Sequence, residues 1–299
     1  MAYTITYTVG GTSLVLNGYD ATLGMTVNYL GDQGFGMASL HRITQRGPLQ
    51  QGDSDIDFRL DPRVLQLPLF IDATTIDQHY AARARLLAVF TPSNVVGTLT
   101  VATATFSRSI DCTVLGGLSF DVDAKAGYAV RAVIQLRAAD PTWYDSTPVT
   151  LTLTPSIAGT AFAIPMAIPL TMGTASINST TTVTYAGTWL SYPIITAVGP
   201  ITGLTITNNS TGQVISLGAV AIPAGTTYIF DLRYGYKTVK TTAGVNKIAD
   251  VTAGSNLATW AIVNAPTATG GVNSLSITSS ASSSPAEVTL TYYTRYIGI

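Results

Sequence analysis

Period-two alternation recurs along this chain, and it decides most of what the chain can become. In YTITYTV (3–9), Tyr3, Ile5, Tyr7 and Val9 fall on one side of an extended backbone and threonines on the other. DIDFRL (55–60), VLQLPLFI (64–71), GTLTVATATF (97–106), SIDCTVLGGLSFDV (109–122) and YAVRAVIQLRA (128–138) repeat the pattern. Alternation of this kind makes strands that are half buried, one face to a core and one to solvent or a partner. Gly10-Gly11 is a two-residue turn signal between apolar runs, and Asp61-Pro62 marks a turn between DIDFRL and VLQLPLFI.

The second half reads the same way. TTTVTYAGTWLSYPIITAVG (180–199), GLTITNNSTGQVISLG (203–218), TTYIFDLRYGYKTVK (226–240), ATWAIVN (258–264), NSLSITSS (273–280) and AEVTLTYYTRYIGI (286–299) follow one another at sandwich spacing. Asn208-Asn209, Thr211-Gly212, Pro223-Ala224-Gly225 and Gly270-Gly271 punctuate them, and TNNSTGQVI reads as a hairpin with a polar loop. One segment departs from the pattern. TTIDQHYAARARLLAVF (74–90) places Ile76, Tyr80, Ala84 and Leu87 on one helical face, with Leu86 and Phe90 beside it. Thr74 with Asp77 suits a capping arrangement, and Pro92 ends the segment. The expectation is a helix that buries this stripe on one face of a β-sandwich.

Charge divides the chain. Charged residues make up 10% of 299, against roughly 25% in an average soluble domain, which suits a protomer whose surface is largely covered in an assembly. Residues 1–148 hold ten Lys/Arg and thirteen Asp/Glu, a net −3. Residues 149–299 hold five and three, a net +2. That contrast, with a length at which single cores give way to two, predicts two domains with a boundary within 145–190. The net charge of −1 supplies no basic excess for binding phosphates, which argues against a nucleic-acid binder. Cys112 alone excludes an intrachain disulfide framework and a cysteine-based zinc site. The start lacks the pattern of a secretory signal, and IAGTAFAIPMAIPLTMG (157–173) is broken by Pro165 and Pro169, too short to span a membrane. Synthesis and folding in a cytoplasm are expected, with no membrane anchor.

Residues able to do chemistry are scattered. His41 and His79 lack partners at metal-ligand spacing and read as surface or half-buried residues. Cys112 lies within a strand pattern and reads as a small core residue. Asp53, Asp55 and Asp57 open like a calcium loop, but Phe58 and Val64 stand where glycine and glutamate are needed, so they read as a wet strand face. GDQGFG (31–36) lacks the lysine and the following helix of a phosphate loop and reads as a flexible loop. Tyr228, Tyr234, Tyr236, Trp260, Tyr292, Tyr293 and Tyr296 could form a sugar-stacking platform, or simply be cross-strand aromatics. AADPTWYD ends the first half. Asp140 and Asp145 have no reactive neighbours, Pro141 stops the strand, and Trp143 and Tyr144 are expected to pack back over the first domain. No catalytic residue, cofactor or metal ligand is expected.

The order of these pieces resembles the distal tail protein family of long-tailed, non-contractile phages. QRGPLQQGDSDIDFRLDPRVLQLPLFI, the helix DQHYAARARLLAVFTP, GTLTV, RSIDCTVLGGLSF and VIQLRAADPTWYD carry the likeness in the first half. GTWLSYPIITAVGPITGLTITNNSTGQVISL, GVNSLSI and VTLTYYTRYIGI carry it in the second. The resemblance implies a mainly β chain. Residues 1–148 would be a tail-tube-like β-sandwich with one packed α-helix. Residues 149–185 would be a linker and the first edge of the next domain, and 186–299 a galectin-like, jelly-roll β-sandwich. It also implies a structural virion protein, not an enzyme: a homohexameric ring at the tail tip, joining the tail-tube protein to the tail hub and its adhesion apparatus. Its further partners would be a receptor-binding protein or a host glycan, with DNA passing through the lumen. Two other readings stand beside it: a tail-tube protein with an added sandwich domain, and a carbohydrate-binding host-adhesion module.

Overall fold

The computed structural model describes residues 3–20, 25–29, 31, 33–122, 129–153, 176–283 and 285–299. The apolar Pro-containing stretch 157–173 lies outside the described residues. The chain is mainly β with one α-helix, and it divides into two compact units. The first comprises 1–146 with 296–299, the second 147–295.

The first unit contains β1 (Thr4–Val9), β2 (Thr12–Val15), β3 (Gly18–Asp20), β4 (Met25–Tyr29), β5 (Leu40–Gln45), β6 (Ser54–Leu60), β7 (Arg63–Asp72), α1 (Ile76–Val89), β8 (Gly97–Ala102), β9 (Ser107–Val122), β10 (Ala129–Ala138) and β11 (Trp143–Asp145). Its main sheet runs β2-β1-β8-β9-β10-β7-β4-β3. Gly10 and Gly11, at φ +55° and +80°, turn β1 into β2 in the left-handed backbone conformation of a two-residue hairpin turn, whose twist matches the right-handed twist of the strands. The sixteen-residue β9 serves both halves of the sheet. Its segment 107–112 pairs with β8 and its segment 113–122 with β10, with register shifts in the second ladder. Such irregularities bend a strand and let one sheet wrap around a core.

That core takes every second residue of the strands: Ile5 and Tyr7, Leu65 through Ile71, Leu99, Ile110 and Cys112, Ile134 and Leu136. Helix α1 closes onto it, but with a different stripe from the one expected. His79, Ala82, Leu86 and Val89 face inward, joined by Phe90, whose ring stacks on Tyr7 at 5.1 Å. Ile76, Tyr80 and Leu87 are exposed. Two stripes of this helix satisfy a 3.6-residue period, and the one that meets the sheet brings Leu86, Val89 and Phe90 into the core. The cap also shifts by one residue. Thr75 Oγ1 accepts the Gln78 amide, and the Gln78 side chain reaches back to Thr74.

Strand β6 does not pair across the Asp61-Pro62 turn. It pairs with β5 as a separate two-stranded ribbon, while β7 pairs with β10 and β4. The reason lies in the side chains. Ser54–Leu60 has no buried residue, whereas β7 alternates buried Arg63, Leu65, Leu67, Leu69 and Ile71.

The second unit contains β12 (Val149–Leu153), β13 (Asn178–Thr184), β14 (Ile194–Val198), β15 (Ile201–Thr202), β16 (Thr205–Asn208), β17 (Gln213–Ser216), β18 (Ala221–Ile222), β19 (Thr227–Asp231), β20 (Thr238–Thr241), β21 (Val272–Thr278), β22 (Ala281–Ser282) and β23 (Glu287–Tyr292), and β24 (Arg295–Tyr296) closes the chain. A five-stranded sheet, β12-β23-β14-β19-β20, and a four-stranded one, β13-β21-β16-β17, enclose one core. Ile195, Ala197, Phe230, Val288 and Leu290 come from the first sheet, Ile206, Ile215, Leu275 and Ile277 from the second. The polar hairpin over 208–213 forms as read, between β16 and β17.

The run 258–264 is not a ladder strand. Its one strand-like contact is a bridge between Ile262 and Ser191. Side-chain amides satisfy its backbone instead. Gln213 Oε1 accepts the Ala261 amide, Asn273 Oδ1 accepts the Val263 amide, and Asn208 Nδ2 donates to the Ala261 carbonyl. Asn208 and Asn273 are both fully buried, so the network is shielded from water.

Candidate functional site

Three arrangements in the two units carry more than ordinary packing. The first is Arg63, at the head of β7. Its side chain is buried and faces carbonyl oxygens only. Nε donates to Pro141 O at 2.9 Å, Nη1 to Gly34 O and Gly36 O, and Nη2 to Ile297 O at 2.6 Å. Burial lowers its pKa to about 10, still far above neutrality, so the guanidinium remains charged. One planar donor thus ties the 33–36 loop, the exit of the first half and the segment after β23 into one unit.

That contact corrects the reading of GDQGFG as a flexible loop for residues 33–36; Asp32 lies outside the described residues. Gln33 bridges to Gln66, Phe35 is buried with its ring 5.2 Å from Trp143, and the Ile299 amide donates to Phe35 O. Gly34 sits at φ +88°, and a Cβ there would lie 2.3 Å from Val64 O, so no larger residue fits without movement. The aromatic exit also behaves structurally. Trp143 is fully buried, Asp140 accepts from the Thr142 amide and hydroxyl, and Tyr144 donates to Asp111 at 2.6 Å. Asp145 accepts from the Tyr296 hydroxyl at 3.1 Å, and Arg108 lies over the Tyr296 ring at 3.5 Å from its centroid. The sequence signal for Arg63 was present: it occupies the same alternate position as Leu65, Leu67, Leu69 and Ile71, which places a cation on the inward face.

The second arrangement is the β5–β6 ribbon. Ile56 is 60% exposed, Phe58 44% and Leu49 98%. Asp53, Asp55 and Asp57 are exposed as expected, and Asp55 pairs with Arg42 at 3.0 Å. The outer face of α1 adds exposed Ile76, Tyr80 and Leu87. A two-stranded ribbon with bare apolar residues is unstable alone and is the kind of element another chain covers.

The third is in the second unit, on the loop 232–237 between β19 and β20. Of the seven aromatics that could have formed a platform, Tyr228, Trp260 and Tyr292 are core residues, Tyr296 belongs to the first unit, and Tyr293 is half-buried. Tyr234 and Tyr236 are 57% and 59% exposed. Tyr192, outside that set, joins them, edge-on to Tyr234 at 4.8 Å. Lys237 Nζ lies 3.6 Å from the centroid of the Tyr192 ring and 5.7 Å from that of Tyr234, and it has no hydrogen-bond partner among the described residues. Burial lowers its pKa to about 8, with Asp231 pulling the other way. Asp231 accepts from Arg233 Nε at 3.0 Å and Nη2 at 2.7 Å, and Arg233 lies over Tyr236 at 4.6 Å.

The remaining candidates stay apart. His79 is buried in α1 beside Tyr80, deeper than its sequence context implied, and His41 is exposed on β5. Cys112 is a free, buried thiol whose pKa burial raises to about 12, which makes it inert as a nucleophile. Among the described residues no group of three His, Cys, Asp or Glu converges to hold a metal, and no helix is long and apolar enough to cross a membrane.

No family model matches the sequence, and no curated protein matches it. Solved structures do. The chain shares its fold with the Dit protein (gp 19.1) of phage SPP1, described as a paradigm of the hub adsorption apparatus in phages infecting Gram-positive hosts. The TM-score is 0.62 at 13% identity, over 96% of this chain and 98% of that one. The baseplate of phage P2 in its activated conformation matches at a TM-score of 0.44, both with Ca at 10% identity and with Sr at 11%. The mainly β fold with one helix that the resemblance implies is found, and the likeness extends over nearly the whole length of the chain.

Proposed function

We propose that this protein is a structural component of a phage tail tip: a distal tail protein that closes into a homohexameric ring between the tail tube and the hub. The observation that carries this reading is the two-unit fold match to the SPP1 Dit protein across 96% of the chain. Surface chemistry supports it. A closed ring needs heterologous contacts, in which one patch of each subunit meets a different patch of the next. The β5–β6 ribbon supplies one apolar patch, and the outer face of α1, with Ile76, Tyr80 and Leu87, supplies another. The low charge content suits subunits that cover one another.

The first unit carries ten Lys/Arg and thirteen Asp/Glu, a net −3. Repeated around a lumen, that charge repels DNA and keeps it from adhering in transit. Tail-tube and hub proteins contact the two ends of the ring, and the receptor-binding apparatus or a host glycan lies toward the second unit. The protein is placed in the virion, at the tail tip, and acts without catalysis.

Native mass measurement of the purified chain tests the ring. The expected species is six times 31.3 kDa, about 188 kDa. The double substitution Ile56→Asp and Phe58→Asp should return it to 31.3 kDa with the fold intact, because both side chains are exposed. A strict monomer at micromolar concentration refutes the proposal. Long stacks of many rings would identify a tube protein instead.

A further inference from the structure

Residues 296–299 belong to the first unit, and the adjacent Arg295 belongs to the second. On the first unit the Tyr296 hydroxyl donates to Asp145, and Arg108 covers the Tyr296 ring. Ile297 O accepts from Arg63, and the Ile299 amide donates to Phe35 O at 3.1 Å. A Cβ on Gly298 would lie 2.8 Å from the Gly36 backbone, so the segment fits closely. The second unit anchors the residue just before it. Arg295 O accepts the Thr188 and Trp189 amides at 3.0 and 3.1 Å, and the Arg295 amide donates to the Tyr185 hydroxyl at 2.8 Å. The second unit also ties its own two ends together, because β12 pairs with β23 from Val149↔Tyr292 to Leu153↔Val288. At the other crossing the Ser146 amide donates to Ser107 O within the first unit. Thr147 and Pro148, both exposed, are the residues between Ser146 and Val149.

We propose that the second unit is a folded insert that delivers residues 296–299 to the first unit as a strap, so that closure of the first unit depends on the second being folded. The coupling runs along the chain. With the second unit folded, the closing path from Ser146 through the Val149–Tyr292 pairing to Tyr296 is about ten residues long. With it unfolded, the path is the whole of 147–295. A path roughly 15-fold longer lowers the effective concentration of the strap by about the 3/2 power of that ratio, about fiftyfold. The strap in turn holds the 33–36 loop, through Arg63 and through Phe35 O. A short segment held by few contacts sits at the low-stability end of a structure and opens before the ladders do. The coupling lies within one chain and is independent of the ring.

Hydrogen exchange in the full-length protein tests it. The Ile299 amide reads the strap, the Gln66 amide reads the 33–36 loop, and the Leu16 amide, bonded to Ile5 O, is the reference. Phe230→Asp puts a charge into the second core, where Phe230 is fully buried, and unfolds that unit. Exchange at Ile299 should then quicken about fiftyfold and Gln66 should follow, with Leu16 unchanged. A second variant leaves both cores as they are. Twenty Gly and Ser residues inserted between Thr147 and Pro148 lengthen the closing path about threefold and should speed exchange at Ile299 about fivefold. The insertion variant decides the outcome if Phe230→Asp is insoluble or leaves the second unit folded. Exchange at Ile299 within about twofold of the native rate, either with the second unit unfolded or in the insertion variant, overturns the proposal. Equal acceleration at Leu16 also overturns it, since the first unit would then be loosening as a whole.

Discussion

Replacing Arg63 by methionine isolates one buried cation and should weaken the first unit by about 3 kcal/mol. Methionine keeps the length and the apolar stem while removing all four donated hydrogen bonds. A hydrogen bond from a charged group contributes roughly 1.5–3 kcal/mol, so four give about 6–12 kcal/mol gross. Against this stands the cost of burying the guanidinium. The fall of its pKa to about 10 corresponds to about 3 kcal/mol at roughly 1.4 kcal/mol per tenfold. The remainder is about 3–9 kcal/mol. The lower end is the better expectation, since a carbonyl left with one empty lone pair is tolerated more readily than an orphaned amide. For a unit of this size, about 2–4 °C per kcal/mol places the drop in melting temperature at about 6–12 °C. Differential scanning calorimetry reads the transition, and hydrogen exchange at the amides of Gln66 and Ile299, which donate to the 33–36 loop, reports where the structure loosens. Arg63→Lys should recover only part of the loss, because one ammonium cannot span acceptors arranged around a planar fork. A methionine variant within about 1 kcal/mol of the native protein, with unchanged exchange at those amides, refutes the reasoning.

Two more perturbations bear on the second unit. Asn273→Leu strips the partner from the Val263 amide and carbonyl. It should cost about 3 kcal/mol by leaving buried polar groups unpaired, with faster exchange at the Val263 amide as the check. Stability should rise as pH increases from about 8 toward the ordinary lysine range. Lys237 has its pKa lowered on folding, mainly by burial, so in that window the unfolded chain holds the extra proton. Asp231 and Arg233, the charged neighbours, keep their charge there, and Tyr192 resists ionisation because burial raises its pKa. Denaturant titrations at pH 7 and 9.5 should show the gain in the native protein and its absence in Lys237→Asn; equal slopes refute it.

Local chemistry was readable from the sequence, and choices among equivalent faces were not. Gly10-Gly11 announced its hairpin because only glycine takes that backbone freely, and the 208–213 turn did so through Asn and Gly. The helix was legible as an element but not in its orientation. Two stripes fit one period, and the sheet accepted the one with Ala82. The run 258–264 alternates like a strand, yet its backbone partners are the amides of Asn208, Gln213 and Asn273, distant in sequence and invisible to periodicity. The same holds for the loop 232–237. Tyr234 and Tyr236 were two of seven candidate aromatics with nothing to single them out, and Tyr192, forty-two residues from Tyr234, entered only through the fold.

The tie between Arg63 and Ile297 has a consequence for the order of synthesis. Ile297 follows the whole second unit along the chain, yet it completes the first. A nascent chain halted anywhere in 147–295 therefore carries an Arg63 short of one acceptor and a 33–36 loop without the amide of Ile299. Domains commonly finish folding in the order in which they leave the ribosome. Here the last residues of the earlier unit emerge after the whole of the later one, so an incomplete chain carries a first unit that lacks these closing contacts.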